Sequence, residues 1–405
     1  MAEVKKNKNY LSGKEVKAIA RANAKKIKEL EAYKNRKCDE SEFLTQMHDD
    51  NNILEIEDLH TFFYTEQGVV KAVNGVSYSV PKNAVVGVVG ESGCGKSVTS
   101  MSVMRLIQGP AGQIVSGDIR FKSHEFARDA HGNPIAKEGG GEGEFEMVDK
   151  IYDIAKMPIH EIHRIRGKQI AMIFQEPMTS LNPVFTIGQQ LDEVTLLHIP
   201  GATKELAKQK SEEMLRMVGI IPENVYNAFP HELSGGMRQR VMIAMALAAE
   251  PRLIIADEPT TALDVTIQAQ ILDLLQDIKN KIDGSILLIT HDLGVIAEMA
   301  DYVVVMYAGK VIEKGTVMEI FKDPKHPYTI GLQKSKPTMN LDDGTELYNI
   351  PGNVPNPINM PDHCYFKERC AKCTKKCSGD YPGMVQLSPT HFVACHLYNE
   401  EVNNG

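Results

Sequence analysis

The most informative segment of this 405-residue chain is Gly90-Glu91-Ser92-Gly93-Cys94-Gly95-Lys96-Ser97. Its spacing is G-x-x-x-x-G-K-[ST], and it stands between an apolar run at residues 84–89 and a helical pattern that begins at Lys96. Glycines allow successive backbone N–H groups to turn inward around an anion, and a helix N-terminus adds partial positive charge. In such a loop Lys96 contacts the β- and γ-phosphates and Ser97 binds Mg²⁺. The segment therefore predicts a phosphate-binding loop between a strand and a helix.

A pair of acidic residues further along the chain predicts the second part of the same site. The apolar run at residues 253–256 leads directly into Asp257 and Glu258, so two carboxylates stand at the end of a predicted buried strand. Asp257 is suited to hold Mg²⁺, and Glu258 to orient or deprotonate the water that attacks the γ-phosphate. An isolated Asp-Glu pair is more often a solvated strand end, so this interpretation depends on the phosphate-binding loop.

A further anion-binding position is predicted at Leu233-Ser234-Gly235-Gly236-Met237. Ser234 has the N-cap position of a helix expected from residue 238 to about residue 249, and the two glycines expose backbone N–H groups. Since the loop at residues 90–97 already serves one nucleotide, this helix end would most economically serve a nucleotide held by another protomer. An ordinary capped helix is the alternative.

Short apolar runs alternate with helical patterns over most of the chain, which predicts a largely parallel sheet covered by helices. The predicted strands lie at residues 53–59, 69–80, 84–89, 169–174, 253–256, 285–289 and 302–307. Residues 123–150 interrupt this pattern with a cluster of glycines among acidic residues, namely Gly139, Gly140, Gly141 and Gly143. This composition predicts a flexible surface insertion.

The charge distribution separates an N-terminal extension, residues 1–52, from the body of the chain. Residues 1–37 hold 12 Lys and Arg against 4 Asp and Glu, whereas the formal net charge of the whole chain is −8. Apolar residues recur at helical spacing among the lysines, which predicts a basic amphipathic helix. Such a helix could lie on anionic lipid or on a partner, and a solvated helix is the alternative. The body is acidic, so nucleic-acid binding is not expected.

Membrane insertion and secretion are not expected either. The longest apolar runs fall far below the roughly 20 residues of a membrane-spanning helix. No hydrophobic signal-peptide core follows Met1. The seven cysteines are odd in number, and five of them lie at residues 364–395, which disfavours a secreted disulfide framework. These features favour a reducing compartment.

The C-terminal cysteines predict a metal or cluster site in a proline-rich domain at residues 336–405. Their spacing is Cys364-x5-Cys370-x2-Cys373-x3-Cys377, followed by Cys395. Four thiols fit tetrahedral Zn²⁺ and an iron–sulfur cluster equally well on spacing alone, and reduced structural thiols are a third alternative. Because prolines are frequent there, we expect an irregular appendage held together by the cysteines.

In this order, the motifs resemble those of the ATP-binding subunit of ABC transporters, over about residues 53–335. The matching positions are Gln175 for the Q-loop, Leu233 to Met237 for the LSGGQ loop with Met237 in place of Gln, Thr261 to Asp264 for the D-loop and His291 for the switch histidine. The resemblance implies an α/β P-loop NTPase fold with a mixed sheet and a helical subdomain at about residues 176–250. It also implies that two such domains close head to tail over two ATP molecules.

The resemblance further implies which residues act on the nucleotide. Glu258, His291 and Gln175 would be catalytic, and Ser97, Gln175 and Asp257 would bind Mg²⁺. Phe63, with Tyr64 as the alternative, would stack on adenine. The implied nucleotide-binding residues are Phe63, Glu91, Ser92, Gly93, Cys94, Gly95, Lys96, Ser97, Val98, Gln175, Asp257, Ser234, Gly235, Gly236 and Asp264.

Three further segments are similar to the D-type ATPases of oligopeptide and dipeptide importers. They are Glu176-Pro177-Met178-Thr179-Ser180-Leu181-Asn182-Pro183, His326-Pro327-Tyr328-Thr329 and Ile350-Pro351-Gly352. Nickel importers share this branch and are the alternative. The resemblance implies a [4Fe–4S] cluster, with zinc as the alternative, and leaves Cys373 surplus. The implied ligands are Cys364, Cys370, Cys377 and Cys395.

The same resemblance implies the partners and the location of the protein. It implies an F-type ATPase as the second cassette, two membrane permease subunits and an extracellular peptide-binding protein. The location would be peripheral, on the cytoplasmic face of the plasma membrane. A soluble ABC ATPase that acts in translation or DNA repair is the rival from another class. Such proteins typically carry two cassettes or a long coiled-coil insertion, and the sequence has one cassette and no coiled-coil heptads.

Overall fold

The computed structural model describes residues 11–129, 133–138, 145–176, 180–199, 201–261, 264–282, 284–335 and 348–399. The first elements are α1 (Gly13–Lys34), β1 (Asn52–Thr65), β2 (Gly68–Pro81), β3 (Val85–Val89), α2 (Lys96–Val103), β4 (Gly112–Phe126) and β5 (Met147–Asp153). The central elements are β6 (Ile170–Ile173), α3 (Ile187–His198), α4 (Lys204–Met217), α5 (Pro222–Val225), α6 (Gly235–Leu247), β7 (Leu253–Asp257) and α7 (Val265–Ile282). The last elements are β8 (Ser285–Ile289), α8 (Leu293–Met299), β9 (Tyr302–Tyr307), β10 (Lys310–Thr316), α9 (Val317–Lys322), α10 (Pro327–Lys334), β11 (Val385–Gln386) and β12 (Phe392–Val393).

An eight-stranded mixed sheet lies at the centre of the molecule, in the order β11-β12-β10-β9-β3-β8-β7-β6. The strands from β9 to β6 are parallel, whereas β10 pairs with β9 in the antiparallel direction. Every residue of β3, β7 and β8 is buried, because both faces of this sheet are covered. The parallel arrangement predicted from the apolar runs is therefore confirmed.

A separate four-stranded antiparallel sheet, in the order β2-β1-β4-β5, covers one face of the main sheet. Val86 and Val88 of β3 share a hydrophobic core with residues of this sheet, whereas Val85 and Val89 face a second core that includes the helices α3 to α6. The predicted strands at residues 53–59 and 69–80 belong to this second sheet. Their sequence alone does not indicate a separate sheet, because strand partners are selected by long-range packing.

The parallel strands bring the predicted site residues to one edge of the main sheet. β3 leads into the phosphate loop, β7 ends at Asp257, β8 is followed closely by His291, and β6 is followed closely by Gln175. The carboxyl ends of parallel strands lie at the same edge, where ligands of open α/β sheets bind. The topology therefore assembles residues that are far apart in the chain.

The helices α3 to α6 form the predicted helical subdomain between β6 and β7. Thr186 caps α3, Thr203 caps α4, and Ser234 caps α6 by accepting a hydrogen bond from the backbone of Met237. The N-cap position predicted for Ser234 is thus confirmed, although α6 begins at Gly235, a turn earlier than expected. No helix within the described ranges is long and apolar enough to cross a membrane.

The stretch predicted as a flexible surface insertion, residues 123–150, differs at both ends. β4 and β5 form a continuous antiparallel ladder from Arg120 opposite Asp153 to Phe126 opposite Met147. Residues 123–126 and 147–150 are thus paired strand residues, and Ser123 is fully buried. Glycine content and charge did not reveal these strands, because a neighbouring strand satisfies their backbone groups whatever the composition between them. The four glycines of the predicted insertion lie outside the described residues.

The N-terminal region packs on the antiparallel sheet. In α1, the Asn23 side-chain amide donates to the Thr65 carbonyl oxygen at 2.9 Å, and Glu31 accepts a hydrogen bond of 2.5 Å from Gln113 of β4. Further on, Phe43 is buried, and its carbonyl oxygen accepts from the Asp153 backbone at 2.8 Å. Residues 1–10 lie outside the described residues. The helix predicted for this region is present in residues 13–34, with one side on the protein and no fully buried residue.

The C-terminal region was expected to be an irregular appendage, and its described residues have little regular structure, but they pack against the main core. Tyr365 and Phe366 are buried in the same hydrophobic core as Tyr328 of α10. β12 pairs with β10, so the region also extends the main sheet. Proline content indicated irregular backbone correctly, but it carries no information on where the aromatic residues between the cysteines pack.

Candidate nucleotide-binding site

A cavity of about 640 Å³ opens at the carboxyl edge of the parallel strands. This volume is within the range of small-molecule sites in proteins. Its lining comes from the phosphate loop, from the ends of three neighbouring strands and from Ala72 of β2, and it includes several of the residues predicted to act on ATP. The lining residues are Ala72, Ser92, Gly93, Gly95, Lys96, Ser97, Val98, Gln175, Glu258, Thr261 and His291.

The phosphate loop has a shape that only glycine permits at two positions. Gly90 has φ +155° and Gly95 has φ +102°, and a Cβ at either position would collide with a backbone carbonyl oxygen, of Met306 and Ala72 respectively. Cys94 is almost fully buried between them, and burial raises the pKa of its thiol. The cysteine therefore fills space beneath the loop as an uncharged side chain.

Lys96 is held over the loop by backbone oxygens. Its Nζ donates to the carbonyl oxygens of Gly90 at 2.7 Å and of Glu91 at 3.2 Å, and the side chain is buried. Lys96 is also the first residue of α2, so its ammonium group and the N-terminus of that helix lie at the same place. The arrangement concentrates positive charge where a phosphate group would bind.

Ser97 and Asp257 meet at the position predicted for Mg²⁺. The Ser97 hydroxyl donates to Asp257 Oδ1 at 2.9 Å. Burial raises the pKa of Asp257 to about 6, and the neighbouring charge of Glu258 acts in the same direction, while the Ser97 hydrogen bond and Lys96 oppose it. A hydroxyl and a carboxylate oxygen are the ligand types that Mg²⁺ prefers. The two residues therefore fit a magnesium ion bound beside the phosphate loop.

Glu258 is the centre of a hydrogen-bonded group on the opposite wall. The Gln175 amide nitrogen lies 3.0 Å from Glu258 Oε2, His291 Nδ1 lies 3.3 Å from Oε1, and the Thr261 hydroxyl donates to Oε2 at 3.0 Å. The structure thus brings together the three residues that were predicted to be catalytic. Thr261 was predicted only as part of the D-loop, and its position three residues after Glu258 is the one sequence signal that could have indicated this contact.

The backbone of Glu258 has an uncommon conformation that the sequence did not reveal. Its φ is +48°, in the left-handed region that non-glycine residues rarely adopt. Such a conformation costs about 1–3 kcal/mol and persists only where the surroundings enforce it. Here the Glu258 N–H donates to the Ile289 carbonyl oxygen at 2.8 Å, which ties the residue to the end of β8. The backbone therefore directs the carboxylate into the cavity.

The second predicted anion-binding loop stands apart from this cavity. A Cβ placed on Gly235 would meet no atom of the described residues within 4 Å, so the loop is open to solvent on that side. Ser234, Gly235, Gly236 and Asp264 do not contribute to the cavity lining. Asp264 instead accepts a hydrogen bond of 3.0 Å from the Ile267 backbone at the start of α7. Residues 262 and 263 of the predicted D-loop lie outside the described residues.

The predicted adenine-stacking residue is also not part of the cavity lining. Phe63 pairs with Val70 in β2 and with Gly112 in β4, and its ring packs closely against Gly112. Tyr64, the alternative, is likewise a half-buried residue of β1. The structure therefore places both aromatic residues in the antiparallel sheet, outside the lining of the 640 Å³ cavity.

The C-terminal cysteines lie in one neighbourhood. Cys364, Cys377 and Cys395 are buried, Cys370 is half-buried and Cys373 is exposed. Burial raises the pKa of Cys364 to about 12, and the nearby thiols of the other three buried or half-buried cysteines add to the shift. Among the residues that the structure describes, no group of three or more His, Cys, Asp and Glu side chains is placed so that it could hold a metal ion.

One contact between this C-terminal region and the phosphate loop was not predicted from the sequence. Arg369, which precedes Cys370, forms a paired hydrogen bond with the carboxylate of Glu91. The two residues are 278 positions apart. No local pattern in the sequence signals such a pair, because it arises only from the way the C-terminal region folds back on the main core.

Comparisons with known proteins agree with the motifs. Residues 73–261 match the ABC transporter family, and residues 312–377 match the C-terminal region of the oligopeptide/dipeptide transporter family. The chain is 47% identical over 350 residues to the oligopeptide transport ATP-binding protein OppD of Bacillus subtilis (strain 168), covering 86% of this chain and 90% of that protein. It is 44% identical over 353 residues to the dipeptide transport ATP-binding protein DppD of the same organism, covering 87% and 96%.

The fold is also similar to that of solved ATP-binding cassettes. A dimeric structure of the cassette MJ0796 in a post-hydrolysis state, bound to ADP and Pi, aligns with a TM-score of 0.52. The alignment covers 65% of this chain and 98% of that chain at 22% sequence identity. At this level of identity the similarity concerns the fold alone.

Proposed function

This chain belongs to the ATP-binding proteins of the oligopeptide/dipeptide ABC transporters, and on that basis we propose how its residues use ATP. The chain is the ATPase subunit that powers an importer of oligopeptides or dipeptides. The resemblance inferred from the motifs is thereby confirmed.

The proposed mechanism uses the two walls of the cavity for different tasks. The N–H groups of the phosphate loop and Lys96 bind the phosphates, and Ser97 and Asp257 would hold Mg²⁺, which would neutralise charge on the phosphates. Glu258 accepts a proton from the attacking water, and His291 and Gln175 orient that carboxylate and the water. The observation that carries this proposal is the convergence of Gln175, Thr261 and His291 on the Glu258 carboxylate.

We propose that the working unit is a head-to-tail pair of cassettes. Each ATP would bind between the phosphate loop of one subunit and the Ser234–Gly236 loop of the other. The open surroundings of Gly235 support this pairing. The N–H groups of the Ser234–Gly236 loop lie at a helix N-terminus outside the chain's own cavity, and such a helix end is suited to bind an anion. The partner would be an F-type cassette of the same importer, and a second copy of this chain is the alternative.

We further propose that the helical subdomain contacts two membrane permease subunits, which places the protein peripherally on the cytoplasmic face of the plasma membrane. Val184, Phe185 and Leu197 are apolar yet 70%, 49% and 71% exposed on this subdomain. A cavity of about 320 Å³ reaches the same subdomain, and its mostly apolar lining includes Phe174 and Leu181. Exposed apolar groups around a cavity are typical of a protein-binding surface. An extracellular peptide-binding protein would deliver the substrate to the permeases.

The importer function is tested by reconstitution. The chain should co-purify in mild detergent with two multi-spanning subunits, a second ATPase and a peptide-binding protein. The assembled complex in proteoliposomes should take up labelled oligopeptide only when MgATP is on the cytoplasmic side. The same complex with Lys96→Ala in this chain is the control for ATP-driven transport. Recovery from the soluble fraction with ribosomes, or ATP-driven uptake of Ni²⁺ but not of peptides, would contradict the proposal.

For the cysteines, we propose that Cys364, Cys370, Cys377 and Cys395 bind a [4Fe–4S] cluster, with zinc as the alternative. Support comes from their spacing and from their position in one neighbourhood, where three of the thiols are buried and that of Cys370 is half-buried. The thiols would have to draw together on binding, because their present placement does not form a metal-holding group among the described residues. Their role would be structural, as a cross-link in a region with little regular structure.

This cluster is tested by metal analysis of protein purified without oxygen. Wild-type protein should contain iron and acid-labile sulfide, and Cys364→Ser should lose both and become more sensitive to proteases while still binding ATP. Cys373→Ser is the matched control, because that thiol is exposed and surplus to the proposed ligands. Zinc in place of iron would support the alternative ligand, and equal loss of metal in both variants would contradict the proposed ligand set.

A further inference from the structure

A third carboxylate at the nucleotide site lies outside the cavity lining. Glu91 is the second residue of the phosphate loop, next to Ser92 and Gly93, which do line the cavity. A negative charge so close to a triphosphate would repel it. The loop therefore needs either a neutral residue at this position or a positive partner for Glu91.

Arg369 is that partner, and its geometry is well defined. Its Nη1 donates to Glu91 Oε2 at 2.7 Å and its Nη2 donates to Oε1 at 3.0 Å, which is the paired arrangement that a planar guanidinium favours. The Arg369 side chain is 5% exposed. Its other N–H groups donate to the carbonyl oxygens of Pro351 at 3.0 Å and Ile350 at 3.3 Å. These contacts leave the guanidinium one orientation.

The backbone of Glu91 is anchored by α10, which packs against the same C-terminal region. The Glu91 N–H donates to the Tyr328 hydroxyl at 2.8 Å. The Tyr328 ring packs on Phe366 with 5.5 Å between ring centroids, and Phe366 lies three residues before Arg369. On its other side, the Glu91 carbonyl oxygen accepts from Lys96 Nζ at 3.2 Å. The C-terminal region thus holds the Glu91 side chain directly through Arg369, and it holds the Glu91 backbone indirectly through Tyr328 of α10.

We propose that Arg369 is a positioning residue for ATP binding: it neutralises Glu91 and holds that side chain away from the phosphates. Arg369 does not itself touch the nucleotide, and it acts through the phosphate loop. The proposal rests on ATP binding at residues 90–97. It gives the C-terminal region a role in nucleotide affinity that is independent of whether the cysteines bind a metal.

The test compares steady-state ATPase kinetics and fluorescent ATP-analogue binding for the full chain in its complex. Arg369→Ala should raise KM and the dissociation constant for ATP about tenfold, because a partly buried carboxylate is left uncompensated beside the loop. The value of kcat should change less than about twofold, because the groups around Glu258 are unaffected. Arg369→Lys retains the charge and should restore most of the affinity.

A double variant separates charge compensation from packing. Adding Glu91→Gln to Arg369→Ala removes the uncompensated charge and should return KM to within about threefold of the wild-type value. Arg216→Ala is the matched control, because Arg216 forms an exposed ion pair with Glu212 at 3.1 Å on α4, in the helical subdomain. Its KM should not change.

Three results would overturn the proposal. One is an unchanged KM in Arg369→Ala, and a second is an equal rise in the double variant and in Arg369→Ala. If Arg369→Ala does not fold, Arg369→Met, which retains apolar packing without the charge, takes its place, and an unchanged KM there is the third. Absence of ATP hydrolysis in the wild-type complex would instead contradict the proposed function, so the two failures are distinguishable.

Discussion

The phosphate loop at residues 90–97 and the glycine loop at residues 234–236 are both helix N-termini with exposed backbone N–H groups, but their surroundings differ. The first is enclosed by Lys96, Gln175, Glu258 and His291 around a cavity of about 640 Å³. The second lies outside that cavity, and Gly235 has open space beside it within the part of the chain that the structure describes. One loop therefore has its chemical groups within the chain, whereas the other, in the head-to-tail pair that we propose, would receive its phosphate from a partner.

The largest expected effect concerns the cavity at the phosphate loop. Glu258→Gln should lower kcat for ATP hydrolysis by roughly 10²–10⁴-fold, because the amide cannot accept a proton from water. ATP binding should remain, and the cassette pair should be trapped closed by unhydrolysed ATP. Single-turnover hydrolysis and size-exclusion chromatography with MgATP measure the two effects. A parent-like rate in Glu258→Gln would show that another group activates the water.

The next effect separates ATP binding from catalysis at the same cavity. Lys96→Ala should weaken ATP binding about 100-fold, because a charged donor to the phosphates is lost. Equilibrium binding of a fluorescent ATP analogue measures this change. Glu258→Gln is the contrasting variant in the same assay, because it should bind the analogue at least as tightly as the wild type. Equal affinities in Lys96→Ala and wild type would contradict the role given to the loop.

A smaller effect tests the glycine loop at residues 234–236. Ser234→Ala should lower ATPase activity of the assembled complex about 10- to 100-fold, as expected for loss of one hydrogen bond to a charged group. ATP binding by the isolated chain should not change. Thr203→Ala is a matched control, since Thr203 caps α4 in the same way and its loss also costs about 1 kcal/mol of stability. Similar activity losses in both variants would mean that Ser234 acts only as a helix cap.

The smallest effect is a pH dependence of Mg²⁺ binding. The pKa of Asp257 is raised to about 6, so its carboxylate protonates as the pH falls through that value. Since Mg²⁺ needs the carboxylate, its apparent affinity should fall about tenfold between pH 7 and pH 5. The free energy of unfolding of the nucleotide-free protein should change in the opposite sense. Because the pKa of Asp257 is raised in the folded state, the folded protein becomes less stable as the pH rises from about 4 to 6. Asp257→Asn should abolish both dependences.

The comparison of the two loops also indicates how far the sequence could predict the site. Both loops were predicted from spacing and capping residues, and Asp257 and Glu258 were predicted from their position after an apolar run. Phe63 was predicted from the resemblance, but it is not in the cavity lining. The sequence could not show this, because the position of Phe63 along β1 does not reveal which way the antiparallel sheet faces. Gln175 and His291, which contact Glu258, were predicted from the resemblance to the family. The hydrogen bond from Thr261 and the left-handed φ of Glu258 were not predicted.

By itself, the sequence determined the features that depend on neighbouring residues. Local backbone geometry requires glycine at Gly90 and Gly95, helix capping requires a short polar side chain at Ser234, and continuous apolar runs require burial on both faces of a parallel sheet.

Only the tertiary structure decided the features that join distant segments. These are the separate antiparallel sheet, the strands at both ends of the predicted insertion, the packing of the C-terminal region into the main core and the pairing of Glu91 with Arg369. Each depends on which surfaces meet when the apolar residues of the whole chain are buried together. That outcome is a property of the complete packing arrangement, so a local pattern contains no signal for it.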